Sequence, residues 1–327
     1  MQGAPGALSR VVSAHSSASN QKNSSELGSP HPSLAMRPVV FDTDIGTDVD
    51  DILALVFLAK APELKLLCVT TVYGDTKFRA KIEKTTTQML GRNDIEVVPG
   101  KSLPISGRQV HWAGHEGEGI PNLDAIEIKP GQSASSHIGE TAEALNGELE
   151  VIATGPLTNI ARALTEAPAS CAKIKHLYVM GGAFWMNRAE HNIKCDADAA
   201  RVVFASGIPM TVISLDLTLR VRLGRDELPQ IAALPRGLGP MLENQLIRWW
   251  EYRHVEGSSP HDPLAALTMV RPDLFRFENW DIEVYDEPSA PGFTRAINRG
   301  TGKIRIGVDV FARTAGQEIV ARIAAPI

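Results

Sequence analysis

After Met36, short apolar runs rich in β-branched residues alternate with longer segments of helical periodicity. The runs predicted as strands are PVVF, LKLLCVTTV, IEVV, LEVIAT, IKHLYVM and PMTVISL. The helical segments between them include ILALVFLAKA, FRAKIEKTTTQML, ETAEALN, LTNIARALTEA and ADAARVVFAS. Strands and helices that alternate at this spacing predict an α/β fold with a mainly parallel sheet covered by helices. The strands are apolar along their whole length, as expected when both faces of a sheet are buried.

The last third of the chain has a different pattern. From Arg220 it becomes more helical, in RDELPQIAAL, MLENQLIRWWEYRHV and DPLAALTMV. Two late strands, WDIEVYD and KIRIGVDV, and a closing helix near AGQEIVARI complete it. Because neither a linker nor an internal repeat interrupts residues 37–327, we expect one domain there.

Residues 1–36 are rich in Ser, Ala, Gly and Pro and show no sustained periodicity. Such a segment buries too little apolar area to offset its ordering entropy, so we predict a disordered tail. Met36 stands directly before RPVVFDTD, and a translation start at Met36 is a second expectation.

Charge and cysteine content exclude several classes of partner. The formal net charge is −5 and there is no basic stripe, so nucleic acid is not an expected partner. No apolar run approaches the roughly 18 residues that span a bilayer, so we expect no membrane partner. The cysteines, Cys68, Cys171 and Cys195, are odd in number and unpatterned, which favours a reducing compartment. We therefore expect a cytoplasmic globular protein.

Glycines and polar residues follow the end of strand after strand in the predicted sheet. They are Asp42-Thr43-Asp44, Tyr73-Gly74-Asp75, Thr154-Gly155-Pro156, Gly181-Gly182 and Asp216. In an open parallel sheet, ligands bind at the carboxyl ends of the strands. The sequence therefore predicts a ligand-binding crevice at this edge.

The segment VVFDTDIGTDVDD, residues 39–51, carries the aspartates Asp42, Asp44, Asp48, Asp50 and Asp51. Capping of the apolar helix that follows stabilises one or two of them, by about 0.3–1 kcal/mol each. Unpaired neighbouring carboxylates raise one another's pKa, so capping does not account for all five. A hard divalent cation, Ca²⁺ or Mg²⁺, removes the repulsion, and we favour metal binding over capping.

Two other kinds of acidic site bear comparison with this segment. An EF-hand calcium loop needs a glutamate at its twelfth position, and counting from Asp42 or Asp44 reaches Leu53 or Leu55. That excludes an EF-hand. A magnesium-dependent phosphatase of the haloacid dehalogenase type also opens with an apolar strand and Asp-x-Asp, which DTDIGT loosely resembles. Its nucleophile would be Asp42, through a covalent aspartyl-phosphate, and this is the alternative function.

Six motifs follow one another along the chain: DTDIGTDVDD, TTVYGD, ATGPLTNIARAL, VMGGA, AEHN with DADAA, and HDPLAAL. In this order they resemble the inosine–uridine-type nucleoside hydrolases, over nearly everything from Arg37 to the C-terminus. The resemblance implies a single α/β domain with a mixed, mostly parallel sheet and a Rossmann-like core, assembled as a homodimer or homotetramer. It implies calcium-dependent hydrolysis of the N-glycosidic bond of ribonucleosides to ribose and free base, in nucleoside catabolism and salvage.

The resemblance assigns a calcium site to four residues. It makes Asp44 both a calcium ligand and the base that deprotonates the attacking water. Asp51 matches a bidentate ligand, Thr154 offers its backbone carbonyl, and Asp262 is the last ligand and also reaches the ribose. Asp50 matches the partner of the ribose 2′-hydroxyl.

Other family positions bind the sugar. Glu190 and Asn192 match residues that hold the ribose 3′- and 5′-hydroxyls, and Asn187 is a further candidate contact. Asp75 stands where many members carry an asparagine that binds the sugar. In many members the Asp-Asp pair begins four positions after the first metal aspartate, whereas in this chain it begins six positions after Asp44. Asp48, four positions after Asp44, is therefore an alternative to Asp50.

The base would lie near two histidines and several aromatic residues. His261 matches a position where some members place the acid that protonates the leaving base, and histidine titrates in the right range. His115, in HEGEG, resembles a segment near the base pocket. Aromatic candidates for stacking are Trp185, Trp249, Trp250 and Tyr252. A non-catalytic nucleoside- or sugar-binding protein is the third functional alternative.

Overall fold

The computed structural model describes residues 35–129, 131–287 and 290–326. Apart from Ala35 and Met36, the predicted tail lies outside these ranges. The strands are β1 Arg37–Thr43, β2 Leu64–Thr71, β3 Glu96–Pro99, β4 Glu150–Ala153, β5 His176–Met180, β6 Met210–Ile213, β7 Leu223–Gly224, β8 Gly257–Ser258, β9 Phe275–Glu287, β10 Ala290–Ile297 and β11 Ile304–Val310.

Helices separate most of these strands. The α-helices are α1 Asp50–Lys60, α2 Thr76–Leu90, α3 Ala134–Leu145, α4 Thr158–Glu166, α5 Pro168–Cys171, α6 His191–Cys195, α7 Ala197–Phe204, α8 Leu215–Thr218, α9 Leu228–Ala232, α10 Leu238–Arg253, α11 His261–Val270 and α12 Ala312–Ala324. Short 3₁₀ turns occupy Leu123–Ala125, Arg225–Glu227 and Pro272–Leu274. Within the described ranges, no helix is both long and apolar enough to cross a membrane.

The main sheet has nine strands in the order β10-β9-β11-β6-β5-β4-β1-β2-β3. The strands from β3 across to β6 pair in parallel, as does β11 with β6. At one edge, β10 pairs antiparallel with β9, and β9 pairs antiparallel with β11. β7 and β8 form a separate antiparallel pair. The predicted α/β fold, with a mixed, mostly parallel sheet flanked by helices, is confirmed.

Strand β1 lies inside the sheet, between β2 and β4. Its side chains alternate between two cores: Val39 and Phe41 pack on one face of the sheet and Val40 on the other. Helix α1 is buried from Asp50 to Ala59, because its sequence is apolar around its whole circumference. The loop 44–49 therefore leaves an interior strand and enters a buried helix, which holds both of its ends in place.

The edge strand β10 escaped prediction. Its sequence, APGFTRAI, contains Pro291 and Gly292, and both residues are depleted in strands. The register against β9 shifts between Pro291 and Phe293, and Gly292 has a positive φ of 73°. Proline is tolerated at an edge or a bulge, and β10 supplies both conditions.

Helix α2 carries a buried carboxyl group that predicts a gain in stability. Glu83 has no exposed surface, and neither of its carboxylate oxygens has a hydrogen-bond partner in the described part of the chain. Burial raises its pKa well above the ordinary value. We expect Glu83→Met to raise the free energy of unfolding by about 1–3 kcal/mol at pH 7.5, measured by urea denaturation.

The pH dependence follows from the direction of this shift. A carboxyl whose folded pKa is raised destabilises the fold only above its unfolded pKa of about 4.3, so the gain should shrink from pH 7.5 to pH 5. Glu140→Met, at an exposed position of α3, is the control and should change stability little. A Glu83→Met variant no more stable than the wild type at pH 7.5 would contradict this account.

Candidate active site

A cavity of about 400 Å³ opens at the carboxyl edge of the sheet. It is bordered by residues that follow the ends of β1, β4, β5 and β6, where the sequence predicted a crevice. The predicted site residues that line it are Asp44, Asp50, Asp51, His115, Thr154, Glu190, Asn192, His261 and Asp262, and Asp48 lines it too. Its volume lies within the range of small-molecule sites.

A cluster of carboxylates forms one side of this cavity. Asp50, Asp51 and Asp262 each place a carboxylate oxygen within 4.8 Å of the others, and each is only 4% exposed. The cluster forms where the first turns of α1 and α11 meet, and the Asp262 N–H donates to Asp50 Oδ2 at 3.1 Å. The Thr43 hydroxyl donates to Asp51 Oδ1. The N-terminus of a helix favours negative charge, so the two helix N-termini that meet here partly stabilise the carboxylates.

Burial and mutual repulsion act together on these carboxyl groups. Burial is the larger cause that raises the pKa of Asp51 well above its ordinary value, and the charges of Asp44 and Asp50 add to it. The pKa of Asp262 is raised for the same reasons, with Asp50 and Asp51 as its neighbours. A cation among these oxygens reverses that effect. The donors are oxygens, so a hard divalent ion of the calcium or magnesium type fits them.

Asp44 lies on the wall of the same cavity and is 7% exposed. Gly155 follows β4 and packs closely against Asp44: a Cβ at position 155 would lie 2.9 Å from Asp44 Oδ1. Only glycine at this position leaves enough space for the Asp44 carboxylate. Sequence reasoning put Asp44, Asp51 and Asp262 in the metal set and Asp50 at the ribose. In the described residues, it is Asp50 that completes the close trio with Asp51 and Asp262.

Thr154, Asn192 and Glu190 meet beside the acidic cluster. The Asn192 side-chain amide donates to the backbone carbonyl of Thr154 at 2.6 Å. The hydroxyl oxygen of Thr154 is buried without a hydrogen-bond partner in the described residues, so a second oxygen of this residue is available to a ligand. Glu190 caps α6 and accepts N–H groups from Gly182, Asn192 and Ile193 at 2.8–3.1 Å, which fixes its carboxylate.

Two histidines border the cavity from different elements. His261, the first residue of α11, places Nδ1 2.6 Å from the Thr218 hydroxyl. Burial lowers its pKa, although the nearby Asp50 opposes this, so the ring is neutral at pH 7. His115 Nε2 lies 2.9 Å from the Thr47 carbonyl oxygen.

Aromatic rings also line the cavity. The ring centroid of His115 lies 4.3 Å from that of Tyr252, which in turn stacks on Trp249 at 5.8 Å. The Arg253 guanidinium lies over the Trp249 ring at 5.1 Å. Trp250 points into the core instead, 1% exposed, with its indole N–H donating to Ser258 at 3.0 Å. We call the surface of His115, Trp249 and Tyr252 the ring wall.

Three residues singled out from the sequence lie elsewhere. Asp75 caps α2 by accepting the Phe78 N–H at 2.9 Å, and it borders a separate cavity with Trp112 and Glu116. Asn187 is exposed and does not line the cavity. Trp185, 48% exposed, packs its ring against Trp280 and does not line it either.

The phosphatase alternative depends on Asp42, and the structure contradicts it. Asp42 lies in the last part of β1 with no exposed surface, and its Oδ1 accepts hydrogen bonds from Thr70 and from Asn159. Burial raises its pKa to about 7. A carboxyl group sealed in the sheet is not placed to attack a phosphate ester.

Further cavity residues escaped prediction: Thr47, His111, Arg188 and His191. Thr47, Arg188 and His191 stand inside or beside quoted motifs, so their neighbourhood was a usable signal. His111 is brought to the cavity by an irregular loop and carries no local pattern.

Comparison with known proteins agrees with this geometry. The family described as "Inosine-uridine preferring nucleoside hydrolase" matches residues 39–321. Uridine nucleosidase 1 of Arabidopsis thaliana is 31% identical over 273 residues, which cover 78% of this chain and 80% of that protein. The chain belongs to the inosine-uridine preferring nucleoside hydrolase family.

Solved structures of nucleoside hydrolases have the same fold. The plant nucleoside hydrolase PpNRh1 superposes with a TM-score of 0.80 at 26% identity, over 89% of this chain and 99% of that one. The purine-preferring ribonucleoside hydrolase from Gardnerella vaginalis gives 0.77 at 28%, over 88% and 98%. Nucleoside hydrolases are metal-dependent enzymes that cleave N-glycosyl bonds, and the spacing of the buried acidic cluster suits a metal ion.

Metal binding should stabilise the wild type strongly and a cluster variant only slightly. At 100 times its Kd, a bound Ca²⁺ or Mg²⁺ should raise the wild-type free energy of unfolding by about 2.7 kcal/mol, and a chelator should reverse this. Asp51→Asn removes one repelling charge, so its metal-free form should be more stable than the metal-free wild type, yet gain little from the ion. Thermal melts with and without the ion check both.

The control is Asp75→Asn, which changes a carboxylate outside the cavity and should keep the full metal-dependent gain. The cluster would be ruled out as the metal site if neither ion changed the melting temperature of the wild type. It would also be ruled out if the ion stabilised Asp51→Asn as much as the wild type.

Proposed function

We propose that this nucleoside hydrolase cleaves the N-glycosidic bond of ribonucleosides to ribose and free base, with Ca²⁺ held by the acidic cluster and Asp44 as the base that activates water. The observation that carries the proposal is one cavity lined both by buried carboxylates and by the ring wall. Carboxylates suit a metal and a sugar, and aromatic rings suit a nucleobase.

Asp44 is the residue proposed to deprotonate the attacking water. It lies on the cavity wall next to the cluster, where its position is fixed by the close approach of Gly155. A bound Ca²⁺ would supply positive charge that lowers the pKa of a neighbouring water. Departure of the base leaves an oxocarbenium-like ribosyl centre, and the surrounding carboxylates stabilise that developing positive charge.

Hydrogen-bonding groups around the cluster are proposed to hold the ribose. Asp50 or Asp48 would accept the 2′-hydroxyl, since both line the cavity. Glu190 accepts three backbone N–H groups, and a carboxylate has about four acceptor positions, so it can take one sugar hydroxyl as well. Asn192 and Asp262 complete the set. Fixed hydroxyl contacts of this kind orient the anomeric carbon toward the water.

Two surfaces are proposed to act on the base. Tyr252 and Trp249 offer stacked rings for it, and His261 offers a donor. The Thr218 hydroxyl lies 2.6 Å from Nδ1 of His261 and also has the Leu215 carbonyl oxygen as an acceptor at 3.2 Å. His261 would donate to the leaving base in the tautomer with its hydrogen on Nε2, in which the Thr218 hydroxyl donates to Nδ1 instead. The cytoplasmic location and the homodimer or homotetramer stay predictions, which fractionation and sedimentation can test.

The proposal predicts turnover of ribonucleosides and weak turnover of 2′-deoxynucleosides. Purified protein with Ca²⁺ is incubated with uridine, cytidine, inosine and adenosine, and sugar and base are measured by reducing-sugar assay and chromatography. Removing the 2′-hydroxyl leaves a buried acceptor unpaired, at about 1–3 kcal/mol, or roughly 10–100-fold in kcat/KM.

Two variants divide the roles in the same assay. Asp44→Asn should lower kcat by roughly 10²–10⁴-fold, because the general base is lost. Tyr252→Ala, in the ring wall, should raise KM with little change in kcat, because it removes only stacking. Wild-type kcat in Asp44→Asn would contradict the assigned base. Release of phosphate from p-nitrophenyl phosphate, or ligand-dependent stabilisation without product from any ribonucleoside, would contradict the proposed reaction.

A further inference from the structure

Helix α2 carries an arginine with no exposed surface, Arg79. A buried guanidinium needs acceptors for its fixed fork of N–H groups, since leaving them unpaired is costly. The acceptors of Arg79 in the described chain are backbone carbonyls and one hydroxyl. Its position and its partners are not required by the packing of α2 alone.

These acceptors belong to the loop after β1, which borders the cavity, and to the turn after β2. Nη1 donates to the carbonyl oxygens of Asp44 and of Ile45, the latter at 2.7 Å, and Nη2 donates to the Thr47 hydroxyl at 3.1 Å. Nε donates to the Tyr73 carbonyl oxygen at 2.7 Å, in the turn between β2 and α2. One side chain therefore joins the loop after β1 to the loop after β2.

Both loops have backbone conformations that need support. Tyr73 has a positive φ of 67°, which is uncommon for a bulky residue. Gly46, in the middle of the Arg79 contacts, has φ 110°, and a Cβ there would lie 2.6 Å from Ile82 Cδ1. Residues in such conformations persist only where surrounding contacts hold them.

A third segment is attached through the same residues. The Arg79 guanidinium lies over the Trp112 ring at 4.9 Å. The Thr47 hydroxyl donates to Glu116 at 3.2 Å, and Glu116 accepts the N–H groups of Ala113 and of Gly114 at 2.8 and 2.7 Å. This segment carries His115 of the ring wall, so the contacts of Arg79 connect the loop after β1 with the ring wall.

Asp44 is bound to Arg79 through its backbone, while its carboxylate lines the cavity. We propose that Arg79 is a positioning residue for the reaction: it fixes the backbone of Asp44 and the loop after β1, so that the water-activating carboxylate and the cation site keep their relative geometry. This rests on the proposed function. Lysine cannot replace it, because an ammonium has no planar fork to reach several carbonyls at once.

The test compares Arg79→Lys and Arg79→Ala with the wild type in the full chain. Loss of a residue that orients the side chains bound to a metal typically lowers metal affinity or activity by about 10–100-fold. We expect Arg79→Lys to weaken Ca²⁺ binding, measured by calorimetry, by at least about 10-fold. The same substitution should lower kcat by at least about 10-fold and change KM less. Methylguanidinium should partly restore kcat in Arg79→Ala.

The matched control is Arg37→Lys, at the opposite end of β1. Arg37 also binds a backbone carbonyl, that of Met269, and it pairs with Glu150 at 2.7 Å. This variant should lower the melting temperature while leaving Ca²⁺ affinity and kcat unchanged. The comparison separates a positioning effect from a general loss of stability.

Each outcome decides the claim. Wild-type Ca²⁺ affinity and kcat in a folded Arg79→Lys variant would overturn it, and so would failure of both Arg79 variants to fold, since Arg79 would then serve folding alone. If the wild type binds Ca²⁺ but hydrolyses no nucleoside, the proposed function fails, and the Ca²⁺ affinity of Arg79→Lys still tests the positioning role.

Discussion

Buried carboxylates that crowd together repel one another, and this repulsion shapes the whole site. Asp50, Asp51 and Asp262 hold their oxygens within 4.8 Å although each is almost fully buried. Without a cation, such groups take up protons, and their raised pKa values express that tendency. A bound ion would convert this costly arrangement into a stable one and would supply charge for the proposed reaction.

The parallel sheet is what brings these groups to one place. Asp50 and Asp262 are 212 positions apart in the sequence, yet the N-terminal turns of α1 and α11 meet at the carboxyl edge of the sheet. β1 lies between two parallel neighbours, so Asp44 leaves the sheet at a fixed point and direction. A rigid sheet with variable loops lets one edge hold both the acidic cluster and the ring wall.

Local sequence signals were sufficient for most of the scaffold. Apolar runs marked the parallel strands, and carboxylates after strand ends marked the cavity, because strand period and sheet polarity are local properties. They did not reveal β10, where Pro291 and Gly292 conceal an edge strand. Nor could they show that Arg79 joins two loops, because that role depends on contacts between segments distant in sequence. The cap that Asp75 places on α2 is a local contact with Phe78, and the family resemblance led to a sugar-binding prediction for Asp75 instead.

The central claim is that the acidic cluster exists to hold one cation. Its most direct measurement is the number of protons released when Ca²⁺ binds, obtained by calorimetry in buffers of different ionisation enthalpy. Carboxyl groups with raised pKa values must lose protons to the solvent as the ion enters, so we predict 1:1 binding with release of about one proton at pH 6.5. Binding without proton release, or no binding at millimolar Ca²⁺, would contradict the account.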